Sequence, residues 1–481
     1  GCGFLDDRNL VLFGYTVQEV PIPSTRLADP TTKVTLYNCD PPMRPVSRVV
    51  GPSVQFHAPL LPDLGALNVP ASVAIRYGTE LLPVDESKLR DFISFSQRFI
   101  RERFIPLCWD DEISFAEWLE SRNYSLARKN VLRRKYEEMA LLKDELPEHY
   151  LACQSFIKSG EDFDEFKTAR SINSRSDEFK VTVGPYFNVF DHVIFMDAAQ
   201  EFSAFIKLVP INERADYIMD MFAGGNLFYE SDYSSFESLF RPAYMEHIEL
   251  FALEYVLQAL PECSSFIDLV RRATCGTNRC YYKEAAAFVK GRRMSGEMNT
   301  SSGNGLMNLC ILHYVSHKAG ATQLTCVVEG DDGLMTTDAH ITEEDFAAIG
   351  IRCKLKQADV LNQVSFCGIV FDEEDRRILS DPRPVLHNFG YCNRRYIDSN
   401  DQTLRALLKS KAMSFIYQYP GCPIISPLAR RVYDLTLHSS ITRIIKNDCY
   451  WERAVFQEML SVGFKQFLDV PIGIRSRDLF Q

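Results

Sequence analysis

The sequence predicts an α+β chain made of several subdomains, and three observations carry that reading. Short β-rich stretches alternate with helical patterns from Leu227 to about residue 375. Long segments of mixed apolar and charged residues with helical character lie on either side of that region. The chain has 481 residues, 46% hydrophobic and 24% charged, which excludes a mainly disordered polymer. At about 150 residues per domain, that length suggests about three domains or subdomains.

The elements follow in order. Residues 1–90 are rich in Pro, Val and turn residues, with strand-like pieces in KVTLYNC and ASVAIRYG. Helical patterns appear in LRDFISFSQRFIRERF and NVLRRKYEEMALLKDEL. Mixed strand and loop is expected to about residue 190, then helix to about 222. The last hundred residues, from TLRALLKSKAMSFIYQY on, are again helical and punctuated by Pro and Gly. Neither an internal repeat nor a low-complexity linker interrupts the chain.

The net charge of −11 argues at first sight against a polyanionic partner. The distribution argues otherwise. Residues 122–136 carry six basic residues and no acid, residues 271–293 carry a net +6, and residues 376–481 a net +7, whereas residues 329–375 carry −9. Basic regions around an acidic centre suit a groove that binds nucleic acid beside a cation site. Each basic run taken alone equally suits the solvated face of a helix.

No run of 18 apolar residues occurs, so no transmembrane helix is expected, and the N-terminus lacks a signal-peptide pattern. The chain begins without Met, as expected of a fragment or a processed product. Fourteen cysteines occur without a CxxC pair, which suits buried thiols in a reducing compartment better than a zinc site.

The most informative segment is LTCVVEGDDGLMTTD. Two β-rich runs, 324–328 and 334–337, flank Gly-Asp-Asp-Gly, which predicts a hairpin with Asp331 and Asp332 at its tip. Adjacent acids repel, and a divalent cation is their natural neutraliser. An exposed turn would use the same residue types. In NLFYESDYSSFES, the apolar run Leu227–Tyr229 begins a strand that delivers Asp232, with Glu237 five residues later. Two-metal phosphoryl transfer needs carboxylates from more than one segment, and Asp232 with Asp331 and Asp332 meets that need if their strands pair. A helix N-cap is the plainer role for Asp232. In FVKGRRMSGEMNTSSGNGLMNLCILHYV, a basic strand end runs into a loop of Ser, Thr, Asn and Gly, then into an apolar helix from about Leu306. Such a loop offers amides and hydroxyls to a polar ligand, or simply caps the helix. There is no Walker or GxGxxG pattern.

The order D-x4-E, then SGxxxTxxxN (Ser295, Gly296, Thr300, Asn304), then GDD resembles motifs A, B and C of viral RNA-dependent RNA polymerases. VKGRRMSGEMNTSSGN is similar to the tombusvirus-like group of positive-strand RNA viruses, related to the flavivirus-like polymerases. FIKSGEDF and KTARSINSR resemble the basic motif F, which implies nucleotide binding by Lys158, Lys167, Arg170 and Arg175, with Arg170 foremost for the triphosphate. NYSLARKNVLRRKY is similar to motif G at the template channel, which implies RNA contacts by Arg128 and Lys129. IGIRCKLK resembles motif D, whose lysine protonates pyrophosphate; Lys354 fits best and Lys356 is the alternative. VSFCG resembles motif E, implying strand contacts by Phe366 and Cys367, and Arg293 and Gly296 join them around motif B. Glu237 stands where the family usually has Asp, the residue that senses the ribose with Asn304; Ser295 and Thr300 complete the nucleotide set. Val328 and Glu329 before GDD, in place of YxDD, speak against a reverse transcriptase.

The resemblance implies a closed right-hand fold: an N-terminal extension and fingertips (1–90), fingers (91–225), palm with motif A (226–262), a fingers insertion (263–293), a ferredoxin-like palm with motifs B to E (294–375) and a helical thumb (376–481). It implies two-metal nucleotidyl transfer from NTPs, with two Mg2+ ions (Mn2+ as substitute) held by Asp232, Asp331 and Asp332, and primer-independent initiation. Template and nascent RNA, NTPs and other viral replication proteins are the implied partners, in membrane-associated complexes of the host cytoplasm. A nuclease or other phosphotransferase would use the same carboxylates but has no need of motif F. A non-catalytic RNA-binding scaffold would not need three acids in register with motif B.

Overall fold

The computed structural model describes residues 3–6, 9–12, 15–18, 29, 31–37, 48–53, 61, 64–65, 68–141, 146–158, 168–392, 394–442, 444, 450–473 and 476. At its centre is a four-stranded antiparallel sheet, ordered Leu324–Glu329, Asp332–Thr337, Phe228–Tyr233, Cys353–Ala358. With the helices Thr300–Lys318 and Glu343–Ala347 between strands, this is the order of a ferredoxin-like βαββαβ unit. Alternation explains its two faces. Tyr229, Ser231 and Tyr233 point inward and are buried, while Glu230 and Asp232 point to the opposite face. The inward face joins Leu306, Leu309, Ile311 and Leu312 in the largest apolar cluster among the described residues.

A second sheet is ordered Lys33–Leu36, Ala285–Lys290, Thr277–Tyr281, Cys153–Ile157, Ser171–Arg175. It draws strands from three distant stretches of sequence. The C-terminal unit is helical as expected, with Asp401–Gln418, Ile425–Leu435 and Tyr450–Val462 around Met413, Ile416, Phe456 and Met459. The extension reaches both units: Lys33–Leu36 pairs with Ala285–Phe288, and Arg48–Val49 pairs with Tyr391–Cys392. Among the described residues, no helix is long and apolar enough to cross a membrane.

Three expectations change. ASVAIRYG lies not on a strand but mostly in the helix Asn68–Arg76, which buries Val69 and Val73; tertiary burial overrides the β-branched preference. The helix expected after about residue 190 begins at Asp177, where the Ser176 hydroxyl accepts from the Phe179 amide and two acids occupy the first turn. The helix after GRRMSG begins at Thr300 rather than about Leu306. Its two glycines are needed for space: a Cβ at Gly303 would strike the Arg293 guanidinium, and one at Gly305 would press on Phe205.

Candidate active site

The expected hairpin forms, with Glu329 opposite Asp332 and only Gly330 and Asp331 in the turn. Gly330 has φ +60, the left-handed value needed at the first turn position of a tight hairpin. The Asp332 strand pairs with the Asp232 strand, Gly333 opposite Ser231. This closeness depends on Gly333, where a Cβ would meet Ser231 Oγ at 2.6 Å. The register therefore brings the three carboxylates to one end of the sheet, and all three residues are exposed there.

Asn308 holds the turn from below. Its Nδ2 lies within 3.3, 3.1 and 3.1 Å of the carbonyls of Gly330, Asp331 and Asp332, while its Oδ1 accepts from the Tyr233 hydroxyl at 2.9 Å. One buried amide thus joins the Asp232 strand to the Asp-Asp turn. Sequence reasoning missed it, although an Asn within LMNLCIL is a recognisable signal of a buried polar anchor.

The carboxylates repel. Although Asp332 is exposed as a residue, desolvation of its carboxyl and then the charges of Asp331, Asp232 and Glu329 push its pKa up to about 6, against a hydrogen bond from the Cys367 thiol. Excess negative charge on hard oxygen donors fits Mg2+ or Mn2+. Lys207 offsets part of that charge, at 3.1 Å from Glu329.

On the fourth strand Lys354 lies opposite Asp232, and Lys356 opposite Glu230 at 3.7 Å. Glu230, also missed by sequence reasoning, accepts from the Ser365 amide (2.8 Å) and hydroxyl (2.6 Å). This anchors the VSFCG turn, where Phe366 and Ile369 exchange backbone bonds and Cys367 (φ +54) and Gly368 (φ +72) form the tip. Cys367 is exposed at the tip of this turn, beside Asp332. Phe366 is 3% exposed and packs with Phe228, Val327 and Leu334, so it anchors the turn and presents no surface to RNA.

The basic candidates divide. Arg170 is exposed, and its carbonyl accepts from the Lys158 amide at 2.7 Å, which sets the two residues side by side at the end of one strand pair. Lys167 lies outside the described residues. Arg175 is buried and presents no surface to a nucleotide. It occupies an inward position of its strand, and its guanidinium bonds Glu297, the Leu151 carbonyl and Asn278. Arg293 likewise has no exposed surface for RNA; it is paired to Glu249 and Glu297, and burial lowers its pKa to about 10. These ion pairs tie the motif B loop to its neighbours, with Asn299 adding a 2.6 Å bond to Glu249. Arg128 is held bidentate by Asp177, both bonds 2.6 Å, and Lys129 by Glu120 at 2.9 Å, so much of this basic run is offset locally.

Around motif B, the Ser295 carbonyl accepts from the Asn173 amide at 2.7 Å. Gly296 is exposed at φ +105, and a Cβ there would press on Ile172 and Asn173. The Thr300 hydroxyl donates to the Glu297 carbonyl at 2.8 Å and accepts from the Gly296 amide at 3.3 Å. Asn304 Oδ1 is buried without a hydrogen-bond partner among the described residues, as a side chain kept for a ligand would be. Glu237 is buried and paired with Arg76 at 2.9 Å.

Comparison with known proteins agrees with the motif reading. Residues 268–398 match the family model described as viral RNA dependent RNA polymerase. That span contains motifs B to E; the Asp232 strand lies before it and joins by pairing. An RNA-directed RNA polymerase of Turnip crinkle virus is 21% identical over 333 residues, covering 63% of this chain and 42% of the relative. The chain thus spans about two fifths of the relative's length, and the resemblance to viral RNA-dependent RNA polymerases holds in both comparisons.

Proposed function

We propose that this chain is an RNA-directed RNA polymerase that copies the genome of a positive-strand RNA virus, joining NTPs to a growing RNA 3′ end. The observation that carries this reading is the strand register that gathers Asp232, Asp331, Asp332 and Lys354 at one sheet end. In this reading the four-stranded unit is the palm, the five-stranded sheet belongs to the fingers, and the C-terminal helices are the thumb. The extension, paired with both outer units, supports a closed hand.

Asp232, Asp331 and Asp332 would hold the divalent cations, two of Mg2+ with Mn2+ as substitute, and the chemistry these would supply is a lowered pKa for the 3′-hydroxyl and neutralisation of triphosphate charge. Arg170 and Lys158 orient the phosphates by charge at the channel mouth. Lys354 delivers a proton to departing pyrophosphate from its place opposite Asp232. Asn304 and Glu237 receive the ribose, and base pairing with the template chooses the nucleotide. The Cys367 turn abuts the metal acids and meets the nascent end. Initiation without a primer, other viral replication proteins as partners, and work in membrane-associated complexes of the host cytoplasm complete the proposal.

The test is direct. Purified chain with an RNA template, NTPs and Mg2+ or Mn2+ yields labelled, template-length product, and Asp331→Ala abolishes it. Failure of the wild type under both metals, or unchanged product from the variant, refutes the reading.

A further inference from the structure

The helix Asn68–Arg76 and the residue after it send three side chains onto the elements that flank the site. Ser72 Oγ lies 2.8 Å from Ser171 Oγ, and Asn173 Nδ2 donates to the Tyr77 hydroxyl at 2.6 Å. Both partners stand on the strand that follows Arg170 and whose Asn173 amide holds the Ser295 carbonyl. Between these anchors, Arg76 Nη1 donates to Glu237 Oε1 at 2.9 Å. The pair is shielded, with side chains 21% and 11% exposed.

Glu237 sits where placement is exacting. It follows Ser235, whose φ of +56 turns the chain sharply after the Asp232 strand. The same turn is gripped by Arg292, which donates to the carbonyls of Ser238 (2.5 Å) and Phe240 (3.1 Å) and also reaches the Thr79 carbonyl and Asp29. The extension therefore embraces the residues after Asp232 at several points, and Arg76 is the contact from the extension that ends on a carboxylate of that segment. A glutamate has one more rotatable bond than an aspartate, and without a cation its buried carboxylate would lack a defined place. A guanidinium on Oε1 fixes the group and leaves the second oxygen able to accept from a ligand hydroxyl.

We infer that Arg76 is a specificity-positioning residue: it sets the Glu237 carboxylate to accept the ribose 2′-hydroxyl, so the N-terminal extension takes part in choosing ribonucleotides over 2′-deoxynucleotides. This rests on the polymerase reading. A purely structural ion pair would alter stability and rate for both sugars alike, whereas the positioning role alters their ratio.

The experiment is single-nucleotide extension by the full chain, with kcat/KM measured for each NTP and its 2′-deoxy analogue. Sites built to bond a hydroxyl discriminate strongly, and ångström-scale misplacement costs on the order of a hundredfold. Arg76→Gln therefore lowers the ribo/deoxy ratio by about tenfold or more, and Arg76→Lys, which keeps the charge with different reach, lowers it less. The double variant Arg76→Gln/Glu237→Gln discriminates no worse than Glu237→Gln alone. Should Arg76→Gln not fold, Arg76→Lys with and without Glu237→Gln decides by the same ratio. A ratio within about twofold of wild type in folded Arg76 variants, or losses that multiply in the double variant, overturns the inference. Absence of ribonucleotide incorporation by the wild type overturns instead the polymerase reading.

Discussion

Lys354 stands directly opposite Asp232 on the neighbouring strand, two residue pairs along the ladder from the Lys356–Glu230 couple. The alternation of the strand puts both lysines on the carboxylate face, but only Lys356 is drawn to Glu230, which already receives two bonds from Ser365. That register supports the proposal of Lys354, rather than Lys356, as the motif D lysine.

Lys354→Gln should therefore reduce kcat by about a hundredfold with little change in NTP KM, the range expected for loss of a positioned proton donor. Lys356→Gln should reduce it by less than about threefold, because an exposed pair at 3.7 Å contributes little. Steady-state kinetics with a solvent isotope effect check both; equal losses in the two variants would reject the assignment.

The Asn308 amide makes a second prediction. Asn308→Leu keeps the side-chain size but removes the donor to the Asp-Asp turn and the acceptor for Tyr233. Stability should fall by about 1–3 kcal/mol, as expected when buried polar groups lose their partner. The Mg2+ concentration for half-maximal activity should rise at the same time. Thermal unfolding and a metal titration test it; lower stability with an unchanged metal requirement would confine Asn308 to packing.

The hairpin and the Asp232 strand were legible because their signals are local: β-rich runs, a Gly turn and adjacent acids. The second sheet was not, since Cys153 and Cys280 pair across a long gap of sequence that carries no local mark. The burial of Arg175 escapes the sequence for the same reason, and that of Arg293 in part, since its partner Glu249 lies 44 positions away although Glu297 is only four away. Glu297 lies 122 positions from Arg175, so the sequence displays a basic residue and conceals its buried acid partner. Thr300–Asn304 read as loop because Ser and Gly are weak helix formers, and the close approach of Arg293 to Gly303 and of Phe205 to Gly305, which explains the glycines, carries no local mark. Motif spacing picks out candidate residues, but not which of them face solvent.

Arg175 permits a clean separation of stability from binding. Arg175→Met leaves Glu297 with less compensation in a buried network, and the cost should be about 3–5 kcal/mol. Below the lowered melting point, NTP KM should stay within about twofold of wild type, whereas Arg170→Ala should raise it by about tenfold or more with no loss of stability. The opposite pattern would return Arg175 to the nucleotide channel.

Asp191 supplies a pH prediction. Its Oδ1 is buried without a hydrogen-bond partner among the described residues, and Ser302 at the start of the motif B helix, Arg122 and Lys207 are the groups that act to lower its pKa. Burial dominates and raises its pKa to about 7. An unfolded Asp titrates near about 3.9, so between these values the folded chain binds the extra proton. The stabilisation is complete below about pH 4 and is lost as pH rises through about 7, with a limiting slope of about 1.4 kcal/mol per pH unit. Asp191→Asn, which cannot ionise, should remove this part of the decline and make the chain more stable than wild type at pH 8. Denaturant unfolding of both proteins from pH 5 to pH 8 measures the difference: a variant whose stability runs parallel to wild type throughout would show that Asp191 is already ionised in the folded chain.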